Sequence, residues 1–343
     1  MHKLPLSLLV AVTLLACDET SVPEFPEVRF EKPSHFPEPA YKFENNPITG
    51  AGFALGRKLF YDGSLSRDGS ISCGFCHLQA AAFTHHGHDL SHGIDNQLTE
   101  RNATPIMNLA WQTEFFWDGG VHDLDLVSIV PIQNPVEMDE TLDQVLVKLR
   151  QNPDYPPLFE AAYGDPEVST SRFLKALSQF MLMCVSADTP YDRFRQGDAQ
   201  ALNAEEQAGL QVVRAKCGSC HSGELFTDFA FRNNGLNHQF NNDEGRFAVT
   251  LRPEDMHTFK TPSLRNLGFT SPYMHDGRFN SIDKVLDHYT NGVVDSPTLD
   301  PALRQPNGTP GISLTLTERQ QIKAFLAALN DEAFIRKEAL SEQ

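Results

Sequence analysis

The chain has 343 residues and a formal net charge of -17, from 45 Asp and Glu against 28 Lys and Arg. That length allows two domains of ordinary size, and the acidic balance excludes a nucleic-acid surface while favouring the steering of a basic partner. No apolar run approaches transmembrane length.

Residues 1–17 read as a lipoprotein-type signal peptide. A short basic start (His2, Lys3) precedes an apolar run over 4–15, and then a small residue, Ala16, stands before Cys17. That ending resembles a bacterial lipobox, with Cys17 as the lipidation site; the alternative is an ordinary secretory signal with an incidental Cys. Either way the chain leaves the cytoplasm, and the expected location is periplasmic, lipid-anchored to a bacterial membrane, with no membrane contact beyond the lipid. Residues 18–45, rich in Pro, read as a solvated tether.

Apolar residues at three- and four-residue spacing predict helices over 54–60, 142–149, 171–185, 204–215, 282–289 and 317–329. Asn203 with Glu206 reads as a side-chain cap, and Thr317 with Gln320 as a capping box. The stretches 85–104 and 233–258, rich in Gly, Pro and Asn, predict long loops. Gln196-Gly197-Asp198 interrupts the pattern and divides the chain into 46–197 and 198–343.

One pentapeptide occurs in each part: Cys73-Gly74-Phe75-Cys76-His77 and Cys217-Gly218-Ser219-Cys220-His221. Cys-x-x-Cys-His is the attachment signature of a c-type haem, the thiols adding to the porphyrin and the His ligating iron. A thioredoxin-like redox pair needs no His after the second Cys, and a zinc site would not repeat this pentapeptide 144 residues away. Two covalently bound c-type haems follow, and bound haem supplies apolar core that long loops can wrap. The fold class is therefore mostly α, two cytochrome c-like domains each wrapping one covalent haem, with long irregular loops. Cys184 remains, in an apolar run that predicts a buried, inert thiol and no structural disulfide.

The two parts repeat more than the pentapeptide. Thr104-Pro105 leads to Asn108-Leu109 and, nine residues after Asn108, to Trp117-Asp118-Gly119; Thr261-Pro262 leads to Asn266-Leu267 and, nine residues after Asn266, to His275-Asp276-Gly277. Phe83-Thr84 answers Phe226-Thr227.

Leu55-Gly56-x-x-Leu59-Phe60-x-Asp62, Arg101-Asn102, Phe116-Trp117-Asp118-Gly119, Asn134-Pro135-x-Glu137-Met138, Lys260-Thr261-Pro262-Ser263-Leu264-Arg265-Asn266 and Pro272-Tyr273-Met274-His275-Asp276-Gly277-Arg278 extend the match. From about residue 46 to its end the chain resembles the bacterial di-haem cytochrome c peroxidase and MauG family. The resemblance implies that the N-terminal haem meets hydrogen peroxide and that the C-terminal haem, at His221, stores and passes electrons. Glu137 matches the family's acid-base carboxylate, its bland alternative being a helix-capping Glu. Trp117 matches the indole between the haems, which as an alternative is a core residue with its N–H bonded. Asn102, Thr270 and Pro272 match an inter-haem calcium site of oxygen ligands.

The sixth ligand of the C-terminal haem, Met in many members, falls on Tyr289 by this resemblance, as in MauG. An anionic oxygen donor favours Fe(III) and Fe(IV) where a thioether favours Fe(II). Met274 and His288 are the competing ligands, and packing of Tyr289 within a helix is the bland alternative. Tyr289 lies fourteen residues after His275, and fourteen after Trp117 comes Pro131, which has no side-chain donor. The His77 iron is thus expected to keep an open position. By the resemblance Ile94 stands where other members carry a distal His, and Val127 replaces a family Gln; the alternative to an open iron is that a loop His, from His85, His86, His88 and His92, closes it at rest. The resemblance implies an oxidoreductase that reduces hydrogen peroxide with electrons from a small cytochrome or cupredoxin. Its alternatives are a MauG-like oxidase that builds a bis-Fe(IV) state and oxidises Trp or Tyr of a protein substrate, and a plain electron carrier.

Overall fold

Two crossed helix pairs, one in each half, carry the fold. The structure, a computed structural model, describes Phe25 and residues 27–237 and 243–343; the signal segment with Cys17 lies outside the described residues. In the first pair, Gly50–Tyr61 begins on Thr49, whose side chain accepts from Gly52 N at 3.0 Å, and it buries Phe53, Leu55, Leu59 and Phe60 against Thr170–Leu182. Gly56 sits at the crossing, where a Cβ would collide with the Ala176 carbonyl oxygen. In the second pair, Ala204–Lys216 packs on Leu316–Ala327, and a Cβ at Gly209 would collide with the Gln321 carbonyl oxygen. Leu59 and Phe180 in the first crossing and Phe325 in the second are fully buried, and each such side chain contributes about 1.5–3 kcal/mol of burial.

The Asn-Leu steps are also built alike. Asn108 and Asn266 both take left-handed backbone, and their N–H groups donate to the chain leaving the second helix of each pair, at Cys184 O (2.9 Å) and Leu329 O (3.0 Å). Each side-chain oxygen then accepts a main-chain N–H two residues further on, Ser186 N at 2.9 Å and Asp331 N at 2.8 Å. The amide thus binds its segment by both backbone and side chain, which left-handed Asn permits at low steric cost.

The structure departs from the sequence reading in several places. Asn203 and Glu206 form a reciprocal box rather than a plain side-chain cap. The second box belongs to Thr315 and Glu318, two residues before the expected pair Thr317 and Gln320, because the helix begins at Leu316. The helix expected over 282–289 is α-helical only over Ile282–Asp287 and continues as a π turn, His288–Gly292. The tether expected over 18–45 is packed where it is described: Phe36 is buried against Trp111, whose indole donates to Pro37 O at 2.8 Å, and Phe30 and Phe43 join the same core. Aromatic residues among the prolines gave that segment apolar area to bury, which outweighs its linker-like composition. The 85–104 stretch holds a 3-10 turn, Ile94–Asn96, and a two-stranded sheet pairs Phe231–Arg232 antiparallel with Phe259–Lys260.

The cores follow the two pairs. One spans Phe36 to Cys184 and also takes Leu225, Phe334 and Leu340; the other runs from Tyr191 to Leu329. Cys184 is fully buried, its thiol pushed up by burial. A buried ion pair joins the segments: Arg265 makes two hydrogen bonds to Asp192, at 2.9 and 2.7 Å, and Asp192 also meets His35 at 2.7 Å. No helix among the described residues is long and apolar enough to cross a membrane.

Candidate functional site

Ser72 caps a single helical turn, Cys73–Cys76, that presents both thiols, and His77 follows at its end. His77 Nδ1 lies 2.9 Å from the carbonyl of Phe83, and His221 Nδ1 lies 3.1 Å from the carbonyl of Phe226. Each of those Phe residues is left-handed. A carbonyl can only accept, so Nδ1 carries the proton and Nε2 is left as the basic nitrogen, the tautomer an iron ligand needs. The Thr after each Phe anchors the turn: the Thr84 hydroxyl donates to Ala103 O and the Thr227 hydroxyl to Thr261 O, beside the two Thr-Pro steps.

Burial keeps the His77 imidazole neutral, lowering it to about 4 against the pull of the Phe83 carbonyl, and it lowers His221 in the same way. Burial also pushes Cys73 up to about 12, and Cys76 and Cys217 to about 11. Raised thiols oppose the thiolates that zinc or a redox pair requires and suit neutral thioethers. The donor set therefore fits two covalent haems.

A large, mostly apolar cavity opens beside His221 and reaches into the first half. Its wall includes Cys217, Cys220, Met274 and Tyr289, and also Trp117, Asn102, Thr270 and Pro272. The residues expected for the second haem and for calcium therefore come together, with Trp117 at the junction. The Trp117 indole donates to Asn102 O at 2.9 Å, and its ring lies 6.5 Å from His275. Asn102 Nδ2 donates to Asp89 O at 2.9 Å, which leaves Oδ1 as the amide's acceptor. Burial pushes the Tyr289 phenol up to about 12, opposed by a hydrogen bond from Asn234. His288 is turned elsewhere: its Nε2 meets Asn234 O at 3.0 Å and it does not line the cavity.

Glu137 belongs to the other site, near enough to Cys73 and Cys76 for its charge to raise both thiols. Burial raises the Glu137 carboxyl, and Asn134 Nδ2, donating to Oε1 at 2.8 Å, opposes that rise. Ile94 is buried and donates its N–H to Glu137 O at 2.8 Å, which puts it beside that carboxylate's backbone. His85, His88 and His92 stack edge to face, with centroids 5.4 and 5.1 Å apart. His85 is near enough to His77 to lower it further. Pro131 lies in the helix Ile129–Gln133, and Val127 packs on the first core.

Sequence reasoning missed three features. Asn234, read as loop, bonds Met274 and lies near enough to Tyr289 to lower its phenol. Lys260 is buried, lowered by burial to about 8, with Nζ donating to Gln112 Oε1 and Glu114 O, each at 2.7 Å. Arg101 bridges Asp118 and Asp243 beneath His275, which stacks on Phe259 at 3.7 Å. Only Arg101 and Lys260 had a sequence signal, since each lies within a family motif.

Comparisons with known proteins point to one family. The di-haem cytochrome c peroxidase family pattern matches residues 50–200. The methylamine utilization protein MauG of Methylorubrum extorquens is 36% identical, over 89% of this chain and 84% of its own. A cytochrome-c peroxidase of a Pseudomonas species, IdrP1, is 30% identical, over 84% of this chain and 83% of its own. The crystal structure of a MauG-like protein associated with microbial copper homeostasis superposes with a TM-score of 0.80 at 31% identity, over 92% of this chain and 99% of that one. The paired His frames and the relatives' span together assign the chain to the di-haem cytochrome c peroxidase and MauG family of oxidoreductases.

Proposed function

We propose that this protein uses hydrogen peroxide to oxidise a Trp or Tyr side chain of a partner protein, with peroxide handled at the His77 site and electrons passing through the His221 site. The observation that carries this reading is Tyr289, a phenol that shares the cavity with His221 where other members have a thioether. An oxygen donor favours the higher oxidation states of iron that such an oxidation needs. The likeness to MauG at 36% identity supports the same branch.

When bound through Cys73, Cys76 and His77 and through Cys217, Cys220 and His221, the haems supply an iron that meets peroxide and a second that stores oxidising equivalents. Glu137 Oε would take the proton from the inner peroxide oxygen and return it to the outer one, which leaves as water as the O–O bond breaks, the bound haems supplying the two electrons. Desolvation raises the carboxyl's proton affinity, which favours the first of these transfers. Pro131 and Ile94 offer no donor atom, which leaves the His77 side open to substrate. Trp117, fixed through its indole N–H, relays electrons between the sites. Asn102 Oδ1 with the carbonyls of Thr270 and Pro272 holds one Ca²⁺. Cys17 carries a lipid that keeps the enzyme at a membrane facing the periplasm, and the acidic chain steers a basic partner.

The peroxidase relatives favour a second reading, in which a small cytochrome or cupredoxin supplies both electrons. Adding peroxide with and without a reduced cytochrome separates the two. The proposal expects a near-infrared charge-resonance band on peroxide alone and little cytochrome oxidation. Steady cytochrome oxidation without that band would install the second reading. Two six-coordinate irons by EPR, with no response to peroxide, would leave a plain carrier. Tyr289→Met should raise the reduction potential of the second haem and abolish the band.

A further inference from the structure

Tyr289, Met274 and Asn234 all line the cavity beside His221, and Asn234 is bonded to Met274. Asn234 Nδ2 donates to Met274 Sδ at 3.5 Å, and the same side chain lies near enough to Tyr289 to lower its phenol. Its main-chain oxygen accepts from His288 Nε2 at 3.0 Å, the residue directly before Tyr289. The orientation of the carboxamide is assigned by its other end, because Oδ1 accepts from Leu236 N, a group that can only donate, at 3.4 Å. The NH₂ end is therefore the one that faces the two ligand candidates. Its neighbour fixes the backbone: buried Asn233 donates to the hydroxyls of Ser296 (3.1 Å) and Thr298 (2.8 Å) and accepts from Gly235 N (2.8 Å).

A carboxamide has two N–H groups to give. We infer that Asn234 is a positioning residue that decides which donor the second haem iron receives, one N–H occupying the Met274 sulfur and the other supporting the Tyr289 oxygen. This rests on the reading that Tyr289 is the sixth ligand. A thioether is a weak acceptor whose lone pairs serve either a hydrogen bond or a soft metal, and a sulfur engaged by Asn234 is held in the cavity wall. An amide N–H beside a phenolic oxygen orients that oxygen as a donor. Outer partners of this kind orient metal ligands and tune them, with effects of 10–100-fold. Both N–H groups push the same choice, toward oxygen and away from sulfur.

The test uses the full chain with both haems attached, read by EPR and by redox titration. Asn234→Leu keeps the size and removes both donors. A second low-spin population of thioether type should appear, at one tenth or more of the total, and Asn234→Leu with Met274→Leu should remove it. Asn234→Asp, isosteric and facing Tyr289 with an acceptor, should likewise lose the single parent signal, and it carries the test if the Leu variant does not load both haems. The inference is overturned if both variants keep the parent's EPR signal and potential. Tyr289→Phe separates the layers. If it leaves the parent signal unchanged, the ligand reading itself is wrong and the inference falls with it. If it alters the signal while the Asn234 variants do not, only the role given to Asn234 is lost.

Discussion

In both halves the motif His leans its Nδ1 on the carbonyl of a left-handed Phe, and a Thr hydroxyl anchors the same turn. The surroundings of the two pentapeptides differ. The first half offers a half-buried carboxyl, Glu137, with Ile94 beside it and Pro131 at the repeat position of Tyr289. The second offers a phenol, a thioether and an amide bonded to the thioether, all lining one cavity. The repeated frame fixes where iron would sit, and residues outside the frame decide what it can do. Local structure follows the same division, since Pro131 stands in a short α-helix and Tyr289 in a π turn, a feature frequent at functional sites.

The largest way to break this comparison is Glu137→Gln, which keeps the shape but cannot carry a proton. Peroxide should still bind, and turnover should fall by about a hundredfold or more. A pH profile adds the sign. Only the ionised carboxylate can accept a proton, so turnover falls as pH drops through the Glu137 pKa, and burial raises that value, so the loss begins at higher pH than for an exposed Glu. The Gln variant should lack this acid limb. An unchanged turnover number would move Glu137 out of the mechanism.

The residue directly before each left-handed Asn is Met107 in the first half and Arg265 in the second, and both are buried. Arg265→Met makes the second half like the first at this place, but it strands Asp192 without its charge partner. Breaking such a pair costs about 3–5 kcal/mol, measurable by denaturant unfolding. The double variant with Asp192→Leu should recover much of it, because an apolar pair of similar volume is often as stable as a buried ion pair. Burial alone would raise Asp192, but the Arg265 bonds and charge override it and hold the carboxyl at about 2. The depressed value means that its contribution is present above the unfolded pKa of about 4 and is lost as pH falls from there toward 2. If Arg265→Met unfolds at the parent's denaturant midpoint, the pair does not hold the segments together.

Much of this was legible in the sequence. The pentapeptides, the Asn-Leu steps and the six helices carry strong local signals, and duplication doubled each one. The segment around residues 30–43 was not, since its prolines mask four aromatic anchors whose partners lie far along the chain. The shift from Thr317 to Thr315 was missed because Leu316 is exposed, so the first helical residue breaks the apolar period. Asn234 left no trace, because its value comes from contacts 40 and 55 residues away that no spacing encodes.

The smallest effect tests whether the halves share a frame in energy as well as in shape. Gly56 and Gly209 occupy the same place in their helix crossings, and at each a new Cβ would press on a backbone carbonyl of the facing helix, Ala176 or Gln321. A carbonyl cannot rotate away as a side chain can, so the helices must separate or the side chains beside the crossing must shift. Overpacking of this kind costs about 1–3 kcal/mol, offset in part because Ala is favoured over Gly inside a helix by about 0.8–1.0 kcal/mol. Gly56→Ala and Gly209→Ala should therefore each destabilise, by similar amounts, in denaturant unfolding of the holo-protein. Gly56→Ala should disturb the spectrum of the His77 haem and Gly209→Ala that of the His221 haem, since each pair belongs to the core of its own half. If one substitution stabilises while the other destabilises, the crossings are not equivalent, and the repeat would extend no further than the turns that hold His77 and His221.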